Sequence, residues 1–219
     1  MMVDFNTSYY VVDYYAGVFL LNDNYGYIAK KTFSKPNYIV NANSNLYITG
    51  DNNIWKTDKY LNISKTFTSR GADYRGILFK CTENLIYVAS STNTYLQVFD
   101  LNLNLNSTIN VSPHYPRSFA EKNNELFVGC SVGSVLVVVN KAIIRSFTAC
   151  SSGVISSMVF DKFGLMAIAC RDHKIIKLFH SNGTYTTKNM VTSVDVLNAQ
   201  FDSKGRFVMS LTTGLRIYF

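Results

Sequence analysis

Apolar residues along this chain recur in short runs separated by polar, turn-forming clusters, and the runs keep step. LYITG (46–50), LIYVAS (85–90), LFVGC (126–130), LMAIAC (165–170) and RFVMS (206–210) centre on Ile48, Val88, Val128, Ile168 and Val208, each 40 residues after the last. Phe79, Phe119, Val159 and Ala199 form a second series ahead of the first, and Leu96, Leu136 and Ile176 a third behind it, all with the 40-residue step. Three positions in one register mark a structural repeat rather than a bias of composition. Inside a repeat the apolar residues alternate or form short blocks, and no segment sustains a helical stripe over three turns. Glu83-Asn84, Asn123-Asn124, Lys162-Phe163-Gly164 and Ser203-Lys204-Gly205 interrupt the first two runs, and Asn and Gly tolerate the positive φ of tight hairpins. One full repeat reads as four strands: GILFKC, LIYVASS, YLQVFDLN and STINVS.

A unit of about 40 residues with four short strands is the blade of a β-propeller. The spacing predicts an all-β, six-bladed β-propeller of four-stranded blades in one domain, 1–219. The blades fall near 1–36, 37–72, 73–114, 115–154, 155–195 and 196–219. The first and last are incomplete. The first shows YYVVDYY, GVFLLND and YIAKKTF, and the last stops after GLRIYF without an outer strand. Residues 1–6 supply either the first blade's inner strand or the last blade's missing outer strand. The second arrangement closes the ring and removes a sheet edge, so some such closure is expected. The same pattern also fits a piece of a longer chain.

The stretch GILFKCTENLIYVASSTNTYLQVFDLN (76–102) resembles an NHL repeat, whose blade runs apolar strand, turn, IYVAD-like strand, polar loop and RIQVFD-like strand. FDKFGLMAIACRDHKIIKLFHSNGTYT (160–186) is similar, and FDSKGRFVMS (201–210) repeats its FD-x-x-G turn. The resemblance covers roughly residues 37 to 219. It departs from the family in the polar loop, where Asp and Arg give way to Ser90–Thr94 and Ser131–Ser134, and only Arg171-Asp172-His173 stays charged. WD-repeat propellers are the alternative, but no GH or WD dipeptide occurs. The resemblance implies a six-bladed propeller. Propellers similar in architecture include sensor domains, RNA-binding proteins, metal-dependent lactonases and a zinc-dependent peptide-amidating lyase.

Hydrophobic residues make up 47 % of the chain and charged residues 16 %, which gives ample apolar surface to bury and predicts a folded chain. The net charge of +7 admits nucleic acid or an anionic surface as partner, although the Lys residues are scattered over hairpins without a basic run. The start lacks a signal peptide's basic and apolar regions, and Val135–Val139, among the densest apolar runs, is far too short to span a membrane. The chain is therefore expected to be intracellular or a piece of a longer secreted or tethered protein, with the compartment left open. Cys81, Cys130, Cys150 and Cys170 contain no CxxC pair, and all four are expected as free, mostly buried thiols. Asn-x-Ser/Thr sequons occur at Asn6, Asn62, Asn106, Asn110 and Asn182, about as many as the Asn, Ser and Thr content gives by chance.

Catalytic chemistry finds little support. A zinc site needs several converging ligands. Of the three His, His114 and His173 fall in loops at one end of their blades, whereas His180 ends a third strand. Asp73 and Asp195 are thin provision for a lactonase cation, and Arg75 and Arg117 would oppose one. There is no GxSxG and no phosphate loop. No catalytic residue, metal or cofactor is assigned. The candidate binding residues are Arg70, Asp73, Tyr74 and Arg75 before one inner strand, His114, Tyr115 and Arg117 before the next, and Arg171, Asp172 and His173 in a polar loop. Cations interleaved with aromatics suit an acidic peptide or single-stranded nucleic acid. The expected function is a non-enzymatic binding module recognising a protein or peptide. The alternatives are RNA or another polyanion on the same face, and a metal-dependent lactonase or hydrolase. RNA binding requires Arg70, Arg75, Arg117 and Arg171 on one basic surface, and a hydrolase requires three convergent ligands. If Asp73 pairs with Arg75 or Arg117, that arginine has a structural role.

Overall fold

The computed structural model describes residues 2–5, 8–201 and 205–218. The Ser203-Lys204 part of the last expected turn lies outside them. The chain forms two compact units, Met1–Asn110 and Val111–Phe219. Both are built of antiparallel strands, and the described residues contain no α-helix.

In the first unit, β1 (Met2–Phe5), β2 (Ser8–Asp13), β3 (Gly17–Asn22) and β4 (Tyr27–Lys31) form a four-stranded sheet in chain order. β5 (Pro36–Ala42), β6 (Asn45–Thr57), β7 (Ile63–Lys80), β8 (Leu85–Ser90), β9 (Tyr95–Phe99) and β10 (Leu105–Asn110) form a single six-stranded sheet. In the second unit, β11 (Pro116–Lys122), β12 (Glu125–Cys130), β13 (Ser134–Val139) and β14 (Ala142–Thr148) make one four-stranded sheet. β15 (Ile155–Phe160), β16 (Leu165–Cys170), β17 (Ile175–His180) and β18 (Tyr185–Val191) make another. β19 (Val196–Phe201), β20 (Phe207–Leu211) and β21 (Gly214–Tyr218) make a sheet of three.

Four sheets thus hold four or more strands, where the repeat spacing predicts six blades. The difference arises at the second and third repeats. β7 is 18 residues long and changes partner without breaking: Ile63 to Thr68 and Asp73 pair with β6, and Tyr74 to Lys80 pair with β8. Gly71 lies in the register shift just ahead of the changeover, and its N–H donates to Asn52 Oδ1 at 2.7 Å. Of the two alternatives for the chain start the structure takes the first: Met2 to Phe5 pair with β2 and form the first sheet's own first strand.

The repeat positions behave as their spacing predicts. Ile48, Val88, Val128, Ile168 and Val208 lie on β6, β8, β12, β16 and β20, none more than 2 % exposed. Leu96, Leu136 and Ile176 are also buried. The apolar faces between successive sheets form separate clusters: Phe127, Val137, Ile155, Met166 and Phe179 in one, Ile176, Val196, Ala199 and Met209 in the next. Faces of both neighbours are covered this way, as strands buried on two sides require. Outer strands add an aromatic contact, Phe67 to Phe99 and Phe147 to Phe179, with ring centroids 4.8 and 5.7 Å apart.

A second regularity was invisible to the apolar pattern. β5, β7, β11, β15 and β19 each pair with the following strand through the same register shift. Each shift leaves one extra residue: Asn37, Arg75, Arg117, Ser156 and Leu197. Such a bulge re-aims a side chain and bends the strand. Several of these side chains, or their neighbours, bond across to the next bulge. Within the six-stranded sheet Asn37 Nδ2 donates to Tyr74 O at 2.8 Å, and between successive sheets of the second unit Ser118 Oγ donates to Ile155 O at 3.0 Å and Ser156 Oγ to Val196 O at 2.6 Å. The carbonyls that accept lie just ahead of the next bulge, where the shift leaves them outside the regular ladder.

One expectation for the cysteines is overturned. Cys150 and Cys170 form a disulfide with Cα atoms 5.8 Å apart, and only Cys81 and Cys130 are free. The segment after β14 crosses to the start of β15, and Ile155 there pairs with Cys170. Cys150 therefore passes over the end of β16. A spacing of 20 residues is half the repeat, so the two cysteines occupy complementary positions rather than equivalent ones. Gly133 makes the approach possible, because a Cβ there would meet Cys150 O at 2.2 Å, and its carbonyl accepts the N–H groups of Ala149 and Cys150. Among the described residues no helix is long and apolar enough to cross a membrane.

Candidate functional site

In the first unit the bulge of β7 sets Arg75 at the centre of a polar and aromatic group. Its Nε donates to Asp73 Oδ2 at 2.7 Å and its Nη1 to Asn37 Oδ1 at 3.0 Å. Its guanidinium lies 5.6 Å from the centre of the Tyr14 ring. Lys35 Nζ approaches the same ring at 5.9 Å and pairs with Asp51 at 3.0 Å. Ser91 Oγ also donates to Asp73. Tyr15 stacks edge-on against Tyr14 at 5.0 Å and is 92 % exposed. Two cations, two carboxylates and two tyrosines thus form one group, and their charges cancel. The contact with Asp51 holds the Lys35 ammonium above its usual range.

This geometry sorts the sequence candidates. Arg70 is exposed. Asp73 and Arg75 pair with each other, so Arg75 is a held cation with a structural role. Tyr74 belongs to the core: it is fully buried, and burial pushes its hydroxyl up to about 12. It follows Asp73 on a strand whose side chains alternate, which turns it to the opposite face. Tyr14, Tyr15, Lys35 and Asp51 were missed. Tyr14 and Tyr15 come from the turn between β2 and β3, Lys35 from the connection between β4 and β5 and Asp51 from β6, and nothing in their local sequence marks them as partners of Arg75.

The second unit holds the remaining candidates in two small groups. Arg117 Nε donates to Ser131 Oγ at 3.0 Å, and Ser131 binds Tyr115 O through its N–H and its hydroxyl. His114 Nδ1 lies 3.1 Å from Ser134 Oγ. Ser134 in turn contacts the thiol of Cys130, which burial pushes up to about 12 and leaves inert. The other group borders the disulfide. Asp172 accepts Arg171 Nε at 2.9 Å and the Val154 N–H at 3.1 Å. Burial raises the Asp172 carboxyl, but these donors outweigh it and hold the group below its usual range.

His173 Nε2 lies 2.8 Å from Ser152 O and 3.2 Å from Ser152 Oγ. The pair looks like a nucleophile and its base, but the carbonyl only accepts. Nε2 must carry a proton to satisfy it and cannot take one from Ser152. Among the described residues no three His, Cys, Asp or Glu side chains converge as a metal site would need. A further groove of about 380 Å³ lies against β16, β17 and β18, lined by Leu165, Ile176, Leu178, Met190, Phe201 and Phe207 with Lys188 at its edge.

No family model matches the chain, and no curated protein matches it in sequence. Solved structures do match in fold. A streptogramin B lyase superposes with a TM-score of 0.78 at 11 % identity, over 99 % of this chain and 78 % of that one. A catalytically inactive virginiamycin B lyase from Staphylococcus aureus, solved with quinupristin, gives 0.74 at 10 %, over 99 % and 82 %. The WD40 β-propeller domain of Doa1 gives 0.72 at 9 %, over 99 % and 90 %. Identities this low carry the fold alone. The protein is an all-β propeller.

Proposed function

We propose that this propeller is a non-enzymatic binding module, related to NHL-repeat propellers, that recognises a protein or peptide at its bulged strand ends. The observation that carries the functional reading is the exposed ring of Tyr15, presented beside the structurally held Arg75. An almost fully exposed Tyr15, a second tyrosine beneath it and two charge-balanced ion pairs are the composition of a protein-binding patch, where Tyr and Arg are enriched. The candidate residues near His114, Arg117 and Arg171 offer similar polar groups in the second unit.

RNA binding is the weaker reading. Arg75 and Arg171 each pair with a neighbouring aspartate, which halves the cationic set that it requires. The metal-dependent hydrolase lacks a convergent ligand set among the described residues. The lyases share the architecture, and propellers host both enzymes and binders. Panning a random peptide display library against the intact protein tests the proposal. Enrichment of a sequence motif that is lost with Tyr15→Ala, a change confined to an exposed ring, supports it. Enrichment equal for wild type and Tyr15→Ala would overturn the site. Stoichiometric, salt-sensitive capture of a single-stranded oligonucleotide instead would favour RNA.

A further inference from the structure

The sequons gain meaning from their placement. Asn62 is engaged, its Nδ2 donating to Asp58 Oδ2 at 2.9 Å to close the turn between β6 and β7. Asn110 ends β10 with contacts of its own, and Asn6 lies outside the described residues. Asn182 and Asn106 differ. Asn182 is exposed at the tip of the β17–β18 hairpin, which is closed by His180 N–H to Thr184 O and Gly183 N–H to His180 O, both at 2.9 Å. Its Oδ1 accepts the Thr184 N–H at 2.9 Å, an Asx turn inside the sequon Asn182-Gly183-Thr184. That bond uses the amide oxygen and leaves Nδ2 without a hydrogen-bond partner among the described residues. Asn106, in Asn106-Ser107-Thr108, is exposed on β10, the edge of the six-stranded sheet. A register shift between Leu105 and Ser107 takes it out of the ladder.

The disulfide is an independent pointer. A Cys150–Cys170 bond persists in oxidising compartments, and in a eukaryotic cell these are the compartments in which sequons are glycosylated. We propose that Asn182 is an N-linked glycosylation site and Asn106 a second one. A secretory oligosaccharyltransferase joins Nδ2 to the anomeric carbon of an oligosaccharide carried on a polyprenyl diphosphate. The C–O bond to the diphosphate breaks, the diphosphate leaves with the electron pair, and the amide loses one proton and keeps the other. A glycan at either position stands in solvent, covers no core strand and spares the Oδ1 bond of Asn182. The inference is independent of the binding reading.

The test uses the endogenous protein, isolated with an alkylating agent present and treated with peptide-N-glycosidase in heavy-oxygen water. Asn182 recovered as labelled Asp supports the proposal. In the same cells Thr184→Ser should keep the modification and Thr184→Ala should abolish it, with either variant changing one exposed hydroxyl-bearing residue and not the fold. Recovery of Asn182 unmodified overturns the proposal. If Cys150 and Cys170 are then alkylated, the compartment was wrong; if they are still joined, the acceptor was.

Discussion

The Cys150–Cys170 bond can be tested against a magnitude worked from the structure. Its sequence separation of 20 residues closes a loop whose entropy the reduced, unfolded chain regains. The chain-entropy relation gives about 3 kcal/mol for a loop of this size. Both cysteines are 1 % exposed, so replacing them with alanine removes the bond without uncovering new surface. With a urea dependence of about 2–3 kcal/mol per molar, the double variant Cys150→Ala/Cys170→Ala should unfold roughly 1–1.5 M earlier than wild type. The double change avoids leaving one buried thiol unmatched. The measurement is a pair of urea titrations without reductant, with a third on wild type in dithiothreitol. The reduced wild type should approach the double variant. Thiol counting in denaturant, without reductant, should find two groups, from Cys81 and Cys130. Four reactive thiols, or coincident curves for wild type and variant, would refute the cross-link and with it the argument for an oxidising compartment.

Four further outcomes are expected. Val128→Ala should cost roughly 1–3 kcal/mol in chemical denaturation through lost burial and a small cavity, and a neutral result would contradict its place in the core. Ser156→Ala should cost about 1–2 kcal/mol, because it leaves the Val196 carbonyl without its donor at a buried bulge, whereas the exposed Ser152→Ala should be near neutral. Arg75→Ala should lower stability by about 1 kcal/mol, since its pair with Asp73 is only partly buried at 31 % and 23 % exposure; unchanged stability would remove its structural role. Arg145 donates to both carboxylate oxygens of Glu125 and holds that carboxyl below its usual range. The folded state therefore binds the proton less readily than the unfolded one. The stabilisation is present above the unfolded carboxylate range of about 4.3 and fades as pH falls through the lower folded value. Glu125→Gln should flatten that part of the acid unfolding curve, and an identical slope in both proteins would discount the pair.

Period and polarity determined the strand content, the repeat and the buried centre of each second strand. Those features depend on interactions every 40 residues or less, and an apolar residue flanked by turn formers reports its burial directly, as Val88, Val128 and Ile168 do. Strand pairing beyond the hairpin was less legible. The splice through β7 turned on whether residues 69–73 bend away or stay extended; they stay extended, with the Gly71 N–H donating to Asn52 Oδ1. The assignment of Met2–Phe5 to the first sheet likewise rested on competition between two edges. The bulges left no apolar signature, because one extra residue in a strand is a matter of pairing register. The disulfide joins positions half a repeat apart, which only the path from β14 to β15 brings within bonding distance. The candidate site shows the same division. Asp73 and Arg75 could be named from their position before a strand, but Tyr14, Tyr15 and Lys35 join them only when separate turns converge at the end of a folded sheet. Burial is written locally along a chain, whereas the meeting of distant side chains is decided by the packing of the sheets that carry them.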